Sequence, residues 1–244
     1  MSKPFVTALA AFALVIIACP AWAQDVSITL DNDGSLATRS VQLLVLITLL
    51  SIVPGLAIMI TCFPFMVTVL SILRQGIGLQ QSPPNMLIVS LALFLTYFVM
   101  EPVFIAAWVG GVEPLLNDAM PLETAFVEVM NPFRMFMSGR VAPETFEELA
   151  SLRPDFSPNQ PIESSSLSIL IPSFLLSEIE RAFQIGFLVF LPFLIIDLVV
   201  AAILMSMGMM MVPPAIVSLP FKLAFFVVAD GWSLIAGSLV RSYF

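Results

Sequence analysis

The chain has 244 residues, of which 59% are hydrophobic and 11% charged, with a formal net charge of −8. That composition, with a mean hydropathy of +1.05, excludes an ordinary soluble domain, and nine basic residues leave no electrostatic footprint for nucleic acid. Charges are bunched, so uncharged runs extend over Val41–Leu73 and Gln75–Met100, each longer than the roughly 20 residues a helix needs to cross a bilayer. The expected fold class is all-α, of membrane-protein type, built from kinked hydrophobic helical hairpins. Histidine is absent, which removes the commonest general base and metal ligand together with every Ser-His-Asp or HExxH scheme. No catalytic residue, metal site or cofactor is expected.

The N-terminus has the organisation of a secretory signal. Lys3 supplies a sparse positive region, Phe5–Ile17 an apolar core, and Ala21-Trp22-Ala23 an A-x-A cleavage site before Gln24. Residues 1–23 are therefore expected to be a cleaved signal peptide. Ile17-Ala18-Cys19 would also suit a lipoprotein signal, against which Pro20 stands as an awkward follower. Removing the leader leaves Cys62 as the sole cysteine, a small apolar filler without an internal disulfide partner. Residues 24–40 are polar and acidic and form a short exported tail.

Residues 41–110 read as a first hydrophobic helical hairpin. Its first arm is broken by Pro54-Gly55 and Pro64, and such breaks are tolerated at membrane depth where protein or water satisfies the freed backbone groups. The second arm starts at Asn85 and reaches Glu101-Pro102, with a kinked extension to Gly110-Gly111. Residues 111–182 form the main hydrophilic region, expected on the exported side. Between Val112 and Ser166 it holds nine acidic residues and three arginines, and the Pro/Ser-rich part, 140–166, is expected to be a flexible loop. Leu122–Met137 suggests amphipathic turns interrupted at Asn131-Pro132. Ser177 and Glu180 have the spacing of a capping box and are expected to start the third apolar arm.

Residues 183–240 form the second hydrophobic hairpin. At its centre Met205, Met207, Met209, Met210 and Met211 fall within seven residues, followed by Pro213-Pro214. Each arm carries one lone charge, Asp197 or Lys222. If the arms fold back at the Met cluster, both charges lie roughly 19 Å from the turn at 1.5 Å per residue. A lone intramembrane charge faces a partner or a wet cavity, so each suggests itself as the other's partner, within one chain or between neighbours. The ion pair sets the register of arms or subunits in one reading, and in another Asp197 is a proton or ion relay. The methionines admit three readings: lipid-facing or core filler, a deformable seal where several copies meet in a ring, or soft Cu(I) ligands, the last without a nearby His or Cys. Glu178, Glu180 and Arg181 serve as cap and surface pairs, or Glu178 and Arg181 as contacts to another subunit.

Three blocks carry a resemblance: SPPNMLIVSLALFLTYFVMEPVF, SEIERAFQIGFLVFLPFLIIDLVVAAILMSMGMMMVPP and SLPFKLAFFVVADGW. They resemble the FliP family of flagellar type III export proteins, over residues 40–110 and 168–240, and the related SctR family of virulence secretion. The leader favours the flagellar branch. The resemblance implies a non-enzymatic pore subunit of the bacterial inner membrane and flagellar basal body. It also implies a homo-pentamer joined by FliQ-like and FliR-like subunits and an FlhB-like protein, passing unfolded flagellar substrates. The family's methionine gasket maps onto Met209, Met210 and Met211, with Met205 and Met207 beside it. Residues 140–166 match no family pattern. Alternatives are a virulence secretion gate subunit, a Met-lined copper carrier and an intramembrane enzyme; the last lacks any acid–base pair.

Overall fold

The computed structural model describes residues 36–78, 83–154, 161–209 and 211–244, and the chain divides into two units, residues 1–50 and 51–244. The expected signal peptide and most of the exported tail lie outside the described residues. Helix α1 spans Leu36–Met59. The second unit holds α2 (Phe63–Ile77), α3 (Asn85–Ala107), a π-helical turn (Trp108–Val112), α4 (Glu113–Leu116), α5 (Leu122–Arg140) and α6 (Pro143–Ser151). A 3₁₀ turn (Ile162–Ser164), α7 (Leu167–Ser206), α8 (Pro214–Val228) and α9 (Gly231–Arg241) complete it. No strand occurs among the described residues, and the fold class is all-α.

Helix α2 organises the second unit. Phe65, Met66, Val69, Leu70, Leu73 and Ile77 recur at helical spacing and are all buried, so one face makes a continuous apolar stripe. Ile88, Ala92, Val99 and Met100 of α3, Ala182 and Phe193 of α7, Phe226 of α8, and Ile235 and Leu239 of α9 pack into the same core. At 15 residues α2 is about 22 Å long, too short to cross a bilayer. Its start is set by Pro64 in the first turn, where a missing N–H costs nothing, and by Thr61 Oγ1, which accepts the Phe63 N–H at 3.3 Å. Its end is set by Gly78, whose φ of 87° is a left-handed conformation favouring glycine.

Spans with the length and apolarity to cross a membrane lie at Ser40–Met59, Asn85–Leu116 and Leu167–Ser206; α8 and α9, bent by 61° at their junction, add a fourth if taken as one span. Helix α7 is 40 residues long, about 60 Å. It runs unbroken through Ser177, which corrects the expected helix start there. Ser177 Oγ donates to the Ser173 carbonyl one turn back at 2.8 Å and accepts the Ala142 N–H at 3.0 Å. The hydroxyl thus serves a mid-helix back-bond and a contact to the 141–142 junction, while Leu170, Ser173 and Phe174 carry the buried stripe upstream.

Within the 140–166 stretch, expected to be a flexible loop, Pro143–Ser151 is a helix, while residues 155–160 lie outside the described residues. Pro143 sits in the first turn of α6, and Phe146 and Ala150, four apart, are buried against Met137, Leu170 and Phe174. A composition average hides that two-residue apolar stripe. The expected interruption at Asn131-Pro132 is likewise absent: α5 continues through Pro132, with Phe133, Phe136 and Met137 packed on either core cluster.

Candidate functional site

The second hydrophobic hairpin, α7 and α8, turns at the methionines. Helix α7 ends in a paired closing motif: the Gly208 N–H reaches the Met205 carbonyl at 3.1 Å and the Met209 N–H reaches the Leu204 carbonyl at 3.0 Å. This Schellman geometry needs a left-handed residue, supplied by Gly208 at φ 75°. Pro213 and Pro214 then start α8. Met205, Met207, Met209 and Met211 are all exposed, Met211 at 98%; Met210 lies outside the described residues. Above the turn, Ile195, Val199, Ile203, Met207, Met209 and Phe221 line an apolar cleft.

Farther from the turn the two lone charges meet within one chain. Lys222 Nζ donates to Asp197 Oδ2 at 2.6 Å. Ser218, one turn before Lys222 and wholly buried, donates to Asp197 Oδ1 at 2.5 Å. Lys222 Nζ also donates to the Gly76 carbonyl at 3.2 Å, a last-turn carbonyl of α2 without an intrahelical partner. The result is a network joining α2, α7 and α8 on a cation that is 5% exposed.

A second charge cluster lies at Glu178 of α7, which is wholly buried. Arg140 Nε donates to Glu178 Oε1 at 3.1 Å and Arg140 Nη1 to the Ser242 carbonyl at 2.9 Å, while the Tyr243 hydroxyl donates to Glu178 Oε2. The Arg140 guanidinium stacks 4.0 Å over the Tyr243 ring, a cation–π arrangement. Burial first, and then the Glu178 charge, raise Tyr243 well above the usual phenol range. Arg181 approaches Glu178 at 3.7 Å, its side chain 36% exposed. Cys62 is buried, and burial pushes its thiol up to about 12, which favours the neutral thiol at neutral pH. Among the described residues no grouping of His, Cys, Asp and Glu could hold a metal ion.

The sequence profile of the FliP family matches residues 46–239, and flagellar biosynthetic proteins FliP from several bacteria align along nearly the whole chain. The chain belongs to the FliP family. The Caulobacter vibrioides protein is 48% identical over 98% of this chain and 90% of its own length. The Bacillus subtilis protein is 40% identical over 89% of this chain and 98% of its own, and the Aquifex aeolicus protein 45% identical over 87% and 89%.

In this FliP-family chain the structure brings Asp197 and Lys222 together and leaves Met205, Met207, Met209 and Met211 at the hairpin tip. Glu178 is enclosed within its own chain, whereas Arg181 keeps a surface. Sequence reasoning missed Ser218, Arg140 and Tyr243. Ser218 had a usable signal, because it lies four residues before Lys222 and so on the same helix face. Arg140 and Tyr243 reach Glu178 across 38 and 65 residues of sequence, and no local pattern marks them.

Proposed function

We propose that the chain is a pore-forming subunit of the flagellar type III protein export gate, in which the methionine turn seals the closed pore. The reading is carried by one observation: exposed methionines at the tip of an apolar α7–α8 hairpin in a FliP-family chain. Thioether side chains are apolar and deformable, so Met209, Met210 and Met211 from five copies around an axis would close on one another and yield to an unfolded chain. Met205 and Met207 extend the apolar collar. FliQ-like and FliR-like subunits and an FlhB-like protein complete the gate. Residues 1–23 act as the cleaved leader, and residues 111–182 face the periplasm. Arg181 offers a contact to a neighbouring subunit, with Glu178 orienting it from within. The relatives named above are all flagellar biosynthetic proteins, which supports the flagellar branch over virulence secretion. Membership in this family makes the chain a structural component and not an enzyme, and no observation favours a copper carrier.

Replacing Met209, Met210 and Met211 by Ala is expected to leave assembly intact and to make cells expressing the gate leak ions. Membrane conductance unchanged from wild type would sink the seal. Native mass of the purified complex tests the assembly, with five copies beside FliQ-like and FliR-like chains as the expected result.

A further inference from the structure

We propose that Ser218 is a positioning residue that aims the Asp197 carboxylate so that Lys222 can hold the last turn of α2, making the intramembrane pair a clasp on three helices. An ion pair alone would join α7 to α8 and nothing else. Here the ammonium, with three donors, gives one to Asp197 Oδ2 and another to the Gly76 carbonyl at 3.2 Å. A cation at a helix C-terminus satisfies unpaired carbonyls and complements the helix dipole. Arg74, the basic residue in the last turn of α2, does not do this, because its guanidinium is turned to the Pro83 carbonyl and Asn85 Oδ1. Lys222 arrives from another helix to fill the role.

The carboxylate needs a second restraint. The Asp197 side chain is 34% exposed while that of Lys222 is 6% exposed, so an unrestrained Asp197 would be free to swing outward and draw the ammonium away from Gly76. Ser218 prevents this by holding Oδ1 while Lys222 holds Oδ2. Ser218 and Lys222 are one helical turn apart and bracket the carboxylate from the same face of α8. Between them, Leu219 Cδ1 lies 3.5 Å from where a side chain on Gly78 would begin, so the same face of α8 meets the end of α2. In the export-gate reading, on which this last step rests, the clasp makes α2 and the methionine hairpin move as one body.

Hydrogen–deuterium exchange on the full-length chain in detergent tests the clasp, read on peptides covering residues 70–78, 122–140 and 214–228. Ser218→Ala is expected to speed exchange in the last turn of α2 about tenfold, the scale of one lost hydrogen bond to a charged group, with 122–140 unchanged. Ser218→Thr, which keeps the hydroxyl, is expected to stay near wild type, and Ser218→Ala is expected to add nothing in a Lys222→Met background. Faster exchange confined to α8, equal damage from Thr and Ala, or additive effects with Lys222→Met would overturn the assignment. Should Ser218→Ala not fold, Ser218→Cys, a weaker donor of similar size, carries the same comparison, with exchange between wild type and Lys222→Met expected and wild-type exchange overturning it. In cells lacking the native gate protein, Ser218→Ala is expected to lose secretion of flagellar subunits and Ser218→Thr to restore it. Normal secretion beside faster α2 exchange would remove the coupled movement and leave the clasp standing. Because exchange is read on the chain alone, a failure of the export reading leaves it untouched.

Discussion

Lys222 is held at two points of the chain, the Asp197 carboxylate and the Gly76 carbonyl, and its substitution should be felt at both. Removing one partner of a buried pair costs about 3–5 kcal/mol; with Asp197 a third exposed, screening reduces this to roughly 2–3 kcal/mol for Lys222→Ala, measurable as a lower denaturation midpoint in detergent. Exchanging the two charges should restore only part of the loss. A carboxylate at 222 would face the Gly76 carbonyl, which now accepts a hydrogen bond from Lys222. Full recovery in the swapped variant would show that the α2 contact contributes nothing. Tyr243 gives a pH signature. Its phenol is raised in the folded chain by burial and by Glu178, so its contribution to stability is constant below about pH 10, where the unfolded phenol is also neutral, and declines above it. In a Tyr97→Phe variant, native protein at about pH 11 should lack the phenolate absorbance that appears on unfolding.

Two glycines at helix crossings separate a contact that can adjust from one that cannot. A side chain begun at Gly186 of α7 would lie 2.4 Å from Ile72 Cδ1, the mobile end of a flexible side chain, whereas at Gly111 it would lie 2.8 Å from the Val129 nitrogen and 2.9 Å from the Ala125 carbonyl oxygen. Backbone cannot rotate aside, so Gly111→Ala should destabilise by about 1–3 kcal/mol and Gly186→Ala by less, with Ile72→Val relieving the second but nothing equivalent relieving the first. Thermal melts of the variants decide it. Such crossings also mark where sequence reading stops. The apolar arms, the turn at the methionines and the partnership of Asp197 with Lys222 followed from run length, proline placement and symmetry about residue 209. Helix α6 did not, because its apolar stripe is two residues long and sits in an acidic, proline-broken stretch. Nor did the start of α7: Ser177 and Glu180 satisfy the spacing of a cap, and only the packing of Leu170 and Phe174 reveals that the helix is already under way.

For the molecule as a whole, family membership could be read from long gap-free blocks, while the Glu178 cluster could not, since Arg140, Glu178 and Tyr243 meet only after α5, α7 and the C-terminal tail have folded together. The sequence did hold the composition of a bilayer protein, and the structure adds a dimension to it. Helix α7 is about twice as long as the roughly 30 Å hydrocarbon slab is thick, yet it is apolar along nearly its whole length, with Glu178, Glu180, Arg181 and Asp197 as its only charges. No tilt within the ordinary range brings all of it into lipid. Some of its greasy surface must therefore sit at a level where water would otherwise wet it. That makes the isolated chain a poor tenant of either solvent. A cell that produces it in excess over whatever covers α7 should accumulate aggregates or degradation products, and matched co-expression should raise its steady-state amount.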